Sequence, residues 1–213
     1  EKLEAAGGRA SVFRQDGHIF DAGPTIVTAP WIIDELFALT GKQTSDYVQL
    51  VRLDPFYNIR FEDGSVFHYN GDRDNLIRQV REFSPEDVAG YERFLEVCER
   101  CRRLGFEGMG TKPFDKLWDL IEEIPAFLRM GAWRSLHAQV KRHVRHPNLR
   151  VALSFHPLLI GGNPLKVTAA YALIHALERT WGVHSAMGGT GAIVQGLVGL
   201  LKDLHIPIHY HSP

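Results

Sequence analysis

Residues 1–25 read E-K-L-E-A-A-G-G-R-A-S-V-F-R-Q-D-G-H-I-F-D-A-G-P-T, and this stretch decides how the remainder is read. Gly7-Gly8 breaks the chain, residues 10–14 are extended, Asp16-Gly17 is a hairpin-turn dipeptide, and residues 18–21 return. In folds that bind dinucleotides, an acid ends the second strand and hydrogen-bonds the adenosine ribose. Glycines let backbone amides approach a pyrophosphate closely, and an arginine fork pairs with phosphate oxygens. Glu1, Gly7, Gly8 and Arg9 fit that order, although the same residues also make an ordinary turn with a surface arginine. The Asp21-Ala22-Gly23-Pro24-Thr25 turn would follow the hairpin and approach the same cofactor from its other end.

Outward from this stretch, Pro30 starts a short helix with Ile32, Leu36 and Leu39 at helical spacing and Gly41 as its stop. Alternating Val48, Leu50, Tyr57, Ile59 and Phe61 predict strands over residues 47–69, with a second hairpin turn at Asp63-Gly64. Ser84-Pro85-Glu86-Asp87 is a helix start with a serine cap, after which Val88, Tyr91, Leu95, Cys98 and Leu104 line one side. A further helix begins at Phe114, where Leu117, Ile121, Ile124 and Leu128 form a stripe that Pro125 should kink or break. Helices are expected over 135–146, 147–159, 167–181 and 191–204, and a strand begins at 207–211. The order, β-rich then long α then a return toward strand, is that of a helical insertion between two parts of a sheet-containing domain.

The chain has 213 residues, 45% of them apolar, 23% charged, with a net charge of −1. That composition excludes a disordered chain, and no apolar run reaches the roughly 20 residues that span a bilayer. Near-zero net charge argues against an extended nucleic-acid footprint, so no nucleic-acid partner is expected. Two cysteines make no disulfide framework, which makes a reducing cytoplasm the default. The scattered apolar residues among Glu1, Lys2, Glu4 and Arg9 give no signal-peptide pattern. The start at Glu1 and the end at Pro213 within an expected strand suit a piece of something longer.

The runs G-G-R-A and F-D-A-G-P-T resemble the start of the bacterial-type phytoene desaturases, a carotenoid branch of the FAD-dependent amine-oxidase-like flavoproteins. The similarity continues through Leu153-Ser154-Phe155-His156-Pro157-Leu158-Leu159-Ile160-Gly161-Gly162-Asn163-Pro164, then residues 174–183 and Gly188-Gly189-Thr190-Gly191-Ala192-Ile193-Val194-Gln195-Gly196. It runs in register over essentially the whole chain. The resemblance implies FAD as cofactor and removal of hydrogen from a lipid-dissolved polyene, phytoene toward lycopene. By the same resemblance, hydride would pass from an allylic-type carbon to the flavin with loss of a proton to a weak base or water, and a quinone or oxygen would take the electrons. It implies Glu1 as the ribose acid, Gly7, Gly8 and Arg9 as the phosphate-side loop with Lys2 and Ala10 beside them, and Gly23, Pro24 and Thr25 as the flavin-side turn. The amides of Gly188 and Gly189 approach the flavin or the reacting carbons, or simply start a helix. The family's G-x-G-x-x-G ahead of the ribose acid is absent. Gly105-Phe106-Glu107-Gly108-Met109-Gly110 has reversed spacing and sits after a helix, so it is no substitute. The chain alone is therefore expected to hold FAD weakly or not at all, and to be inactive.

The expected fold is α/β in the mixed α+β sense: an incomplete FAD-binding, Rossmann-like domain with β-hairpins and a long helical substrate and membrane-lid insertion. Residues 1–30 belong to the FAD-binding domain, 31–180 to the substrate and lid region, and 181–213 to the return. Residues 129–150 carry six Lys or Arg, Trp133 and no acid, beside an apolar stripe. Such a stretch attracts anionic lipid headgroups, so Phe114 to His146 is read as a lid that docks at the inner face of the cell membrane. The bland alternative is a solvated basic face. Asp119, in that lid, is the one candidate for stabilising positive charge on a polyene, or else a solvent-facing position. Cys98 and Cys101 read as small buried fillers, His156 and His175 as core histidines, and no metal site is expected. The rival functions are a carotenoid ketolase, a desaturase for shorter polyenes, or a non-catalytic membrane-binding helical module.

Overall fold

The computed structural model describes residues 1–110 and 112–212. Pro213, the end of the expected return segment, and the Leu117 side chain of the apolar stripe lie outside the described residues. In chain order the elements are β1 (Val12–Gln15), β2 (His18–Asp21), α1 (Pro30–Ala38), β3 (Leu50–Arg52), β4 (Tyr57–Arg60), β5 (Val66–Tyr69), α2 (Arg73–Phe83) and α3 (Val88–Cys101). There follow α4 (Leu117–Glu122), α5 (Ile124–Met130), α6 (Leu136–Lys141), α7 (Pro147–Ser154), α8 (Leu173–Trp181), β6 (His184–Ala186) and α9 (Thr190–Asp203). Among the described residues the strands pair as three antiparallel two-stranded sheets, β1–β2, β3–β6 and β4–β5. No helix among them is long and apolar enough to cross a membrane.

The chain divides into two compact units, Glu1–Leu53 with Trp181–Pro213, and Asp54–Thr180. Residues 31–53 thus cluster with the first unit, not with the lid region. In this unit Asp16 and Gly17 take φ of 49° and 79°, the left-handed pair that a two-residue hairpin needs, and Gln15 faces His18 in the β1–β2 register. Pro30 opens α1 at a position where its missing N–H costs nothing. The fully buried Phe37 packs on Tyr47 with ring centroids 5.1 Å apart, and Trp31 meets Trp181 edge to face at 5.5 Å.

The second unit has the larger core, centred on Tyr69, Tyr91, Phe67, Phe94, Leu149 and Leu153, each at most 1% exposed. Each such side chain contributes about 1.5–3 kcal/mol by leaving water. Helix α2 is absent from the sequence reading because its buried face is only Leu76, Gln79 and Val80 in a strongly charged run. Its start is nonetheless well made: Asn75 N–H donates to Asp72 Oδ1 at 2.6 Å.

Three expectations need correcting. Ser84 makes no side-chain cap; a 3₁₀ turn, Pro85–Asp87, leads into α3, and the buried Asp87 carboxylate accepts from Arg145 N–H and His146 N–H, both at 2.8 Å. Residues 207–211 form no strand: Pro207 lacks a donor, and the segment meets the first residues through the Glu1 ammonium to His209 O at 2.9 Å and His211 N–H to Leu3 O at 3.3 Å, with Ser212 N–H to Glu1 O at 3.0 Å after it. The 114–146 stretch is not lid throughout. Helix α6 buries Leu136, Gln139 and Val140 in the core, so only its earlier part presents apolar side chains to solvent. The break at Pro125 falls as expected, at the second position of α5.

Candidate functional site

In the first unit the Gly7–Ala10 loop closes as a single 3₁₀ turn, with Ala10 N–H donating to Gly7 O at 2.8 Å. A Cβ on Gly23 would stand 2.0 Å from Arg9 O, so the turn after the hairpin lies directly against the loop and only glycine fits there. The same hairpin reaches the start of α9: Thr190 N–H donates to Asp21 Oδ1 at 3.1 Å, and the Thr190 hydroxyl donates to Pro24 O. Gly188 and Gly189 hold φ of 88° and 81° to make that approach. Tertiary structure therefore brings together the loop, the hairpin turn and the Gly188-Gly189 turn.

Beside them lies a cleft of about 880 Å³. Of the expected cofactor residues, Lys2, Ala10 and Gly188 line it, while Glu1, Gly7, Gly8, Arg9, Gly23, Pro24, Thr25 and Gly189 do not. The Glu1 carboxylate instead accepts from Leu3 N–H at 3.0 Å. Residues that the sequence did not assign to the cofactor also line it, among them Arg14, Tyr47, Gln195 and His211. They lie on elements legible in the sequence, but no residue pattern distinguishes them from surface positions. Tyr47 donates to Asp203 Oδ2 at 2.7 Å, and that bond to a carboxylate pushes its phenol up to about 12, so it stays a neutral group. Lys2 and Arg14 line the cleft as cations and Glu4 as an acid, while at the start of the 14-residue α9 Asp21 already takes Thr190 N–H and Gly189 O takes Ala192 N–H. The two cations are the groups in the cleft that could pair with an anion.

The second unit holds a buried polar cluster. Tyr57 donates to Glu178 Oε1 at 2.8 Å, and His156 Nε2 stands 3.1 Å from Glu178 Oε2, out of hydrogen-bond alignment but within ion-pair range. His175 lies between the Tyr69 hydroxyl at 2.5 Å and the Tyr91 hydroxyl at 3.3 Å. Burial, then His156 and Arg179, hold its imidazole well below the usual range, and burial raises both tyrosines. His156 and His175 are core residues, as the sequence implied, and their rings meet edge to face at 5.5 Å. Cys98 and Cys101 are buried too, and desolvation pushes Cys101 up to about 11, so neither is a reactive thiol.

Asp119 is half-buried, and its Oδ2 accepts from Lys116 N–H at 2.8 Å at the start of α4. The bond gives it a capping task. The 114–133 stretch mixes exposed apolar and charged side chains: Trp118 is 69% and Trp133 61% exposed, Ile121, Ile124 and Leu128 face solvent, and so do Asp115, Lys116 and Glu122. The Arg134 guanidinium lies 4.6 Å from the Trp133 ring centre.

The family model for flavin containing amine oxidoreductase matches residues 1–213. The chain is 45% identical over 204 residues to a protein of Pantoea ananas named phytoene desaturase (lycopene-forming), covering 96% of this chain and 42% of that one. It is 43% identical over 202 residues to a phytoene desaturase (neurosporene-forming) of Cereibacter sphaeroides, covering 95% of this chain and 39% of the other. The chain therefore spans about two-fifths of the length of the curated relatives it matches. Among solved structures, a double mutant of putrescine oxidase covers 100% of this chain and 44% of that one, with a TM-score of 0.56 and 13% identity, a likeness of fold.

Proposed function

The chain belongs to the flavin containing amine oxidoreductase family, and on that premise we propose that it forms part of an FAD-dependent carotenoid desaturase acting on phytoene. The observation that carries the reading is the meeting of the Gly7–Ala10 loop, the hairpin turn and the start of α9 beside a cleft that Lys2 and Arg14 line. The names of the relatives supply the substrate class. When bound, FAD supplies a hydride acceptor for dehydrogenating a saturated carbon pair. The chain's own residues bind and orient: Lys2 and Arg14 would pair with the pyrophosphate, and Gly23 keeps the loop and turn in register. A quinone or oxygen is the proposed electron acceptor.

The substrate is lipid-dissolved, and the exposed apolar residues of 114–133, with basic residues following, support peripheral docking at the cytoplasmic face of the cell membrane. Grafting the chain in place of the matching segment of the Pantoea ananas relative tests the activity. A yellow protein with flavin absorbance that converts phytoene in vesicles to coloured polyenes is expected. A folded chimera without flavin refutes the cofactor reading, and flavin without conversion refutes the substrate.

A further inference from the structure

Tyr47 lines the cleft of the first unit, and three contacts fix how its ring stands there. Ala192, Gln195, Gly196, Gly199 and Asp203 recur at helical spacing and form one stripe along α9. At the start of the stripe Ala192 and Gln195 line the cleft. Beyond them the Tyr47 side chain lies along the helix where two glycines leave its backbone bare. A Cβ on Gly196 would stand 3.4 Å from Tyr47 Cβ, and one on Gly199 3.4 Å from Tyr47 Cδ1. The stripe ends at Asp203, whose Oδ2 accepts from the Tyr47 hydroxyl at 2.7 Å. The buried Phe37 supplies the third contact, with ring centroids 5.1 Å apart and planes inclined by 39°.

Tyr47 is thus held by a helix, a core ring and a carboxylate, yet it stays half-buried. Its hydroxyl is taken by Asp203, and the phenol, pushed up to about 12, keeps its proton at neutral pH. What remains for a ligand is the ring. Among the described residues Tyr47 carries the one Phe, Tyr or Trp ring on the cleft wall. Val12, Ile19 and Val194 add aliphatic surface there, beside the cations Lys2 and Arg14 and the acid Glu4. A dinucleotide combines the matching chemistries, an anionic middle and a flat heteroaromatic ring at each end. Flat rings stack on aromatic side chains or meet them edge to face.

We propose that the Tyr47 ring is a binding contact for one of the two ring systems of FAD, and that Asp203 is the positioning residue that holds it on the cleft wall. The proposal rests on the cofactor reading above and names a contact within it.

The test uses the grafted protein, freed of flavin and labelled with 3-fluorotyrosine, the Tyr47 fluorine resonance being assigned by its loss in Tyr47→Phe. That resonance should shift when FAD binds. The same shift with ADP places the adenine against Tyr47, and with FMN the flavin. In calorimetric titration Tyr47→Leu should weaken FAD binding about tenfold, the scale of one base–aromatic contact, and Tyr47→Phe, which keeps the ring, less than about threefold. Phe37→Leu removes a core ring that does not line the cleft and should also stay under about threefold. Urea unfolding establishes that each variant is folded. A resonance unmoved by FAD overturns the proposal and leaves the cofactor reading standing, as does a loss in Tyr47→Phe equal to that in Tyr47→Leu. Equal losses in Tyr47→Leu and Phe37→Leu reduce Tyr47 to packing and overturn the proposal too. A folded graft that binds no FAD overturns both.

Discussion

Gly23 and Arg9 are in backbone contact: a Cβ on Gly23 would lie 2.0 Å from the Arg9 carbonyl oxygen. This approach sets the position of the hairpin turn against the loop, and it separates two glycines that look alike in the sequence. Gly8 has φ of 49° but open space around its missing Cβ.

Gly23→Ala should accordingly destabilise the first unit by about 2–4 kcal/mol, because backbone on both sides must move. Gly8→Ala should cost only about 1–2 kcal/mol, from the left-handed conformation alone. Urea denaturation of the two variants measures the difference, and equal losses would refute the close-approach argument. In the grafted protein described above, Gly23→Ala should also reduce flavin retention.

Gly189→Ala meets strain and a contact at once. Its φ is 81°, and its Cβ would stand 2.9 Å from Asp21 Oδ1, the oxygen that receives Thr190 N–H at 3.1 Å. A loss of about 1–3 kcal/mol is expected. Asp21→Asn keeps an acceptor oxygen at the same place, so its loss should stay under about 1 kcal/mol. Similar melting temperatures for the two variants would count against this junction.

Asp87 is 2% exposed and accepts two backbone N–H groups where the chain enters α7. Asp87→Ala leaves both donors buried without their acceptor and should cost about 2–4 kcal/mol. Hydrogen exchange supplies a local readout: the amides of Arg145 and His146 should lose protection in the variant by more than those of β1 and β2.

His175 makes stability depend on pH. The folded chain holds it neutral, with a pKa well below 6.5, whereas the unfolded chain protonates it near 6.5. Between those values the unfolded state binds more protons, so stability rises with pH. The contribution is complete above about pH 7 and is lost as pH falls from about 6.5 toward the folded pKa, at up to ~1.4 kcal/mol per pH unit. His143 and His184, also lowered by burial, act in the same direction. The urea midpoint should therefore fall between pH 7.5 and 5.5, and His175→Gln should flatten the fall; identical slopes would exclude His175 as its source.

Much of this molecule is legible residue by residue. Asp16-Gly17 and Asp63-Gly64 mark hairpins because left-handed backbone at a turn selects those residue types, and Pro30 marks a helix start because its fixed φ suits that position. Helix α2 escapes such reading, since a run with only Leu76, Gln79 and Val80 facing the core carries too little apolar period. The Leu117–Leu128 stripe misleads in the other direction: helical spacing says that Ile121, Ile124 and Leu128 share a face, not whether that face meets a core or solvent.

By itself the sequence determined the local turns, the family likeness and the residue types that a pyrophosphate site needs, because these depend on backbone preference and chemistry within a few residues. Only the tertiary structure decided that Gly23 lies on Arg9, that Asp21 anchors Thr190 169 positions away, and that Arg14, Tyr47 and Gln195 share one cleft with Lys2. It likewise decided that Glu178 is buried between Tyr57 and His156. Contacts between segments far apart in the chain depend on how whole faces pack, and no local pattern of residues encodes that packing.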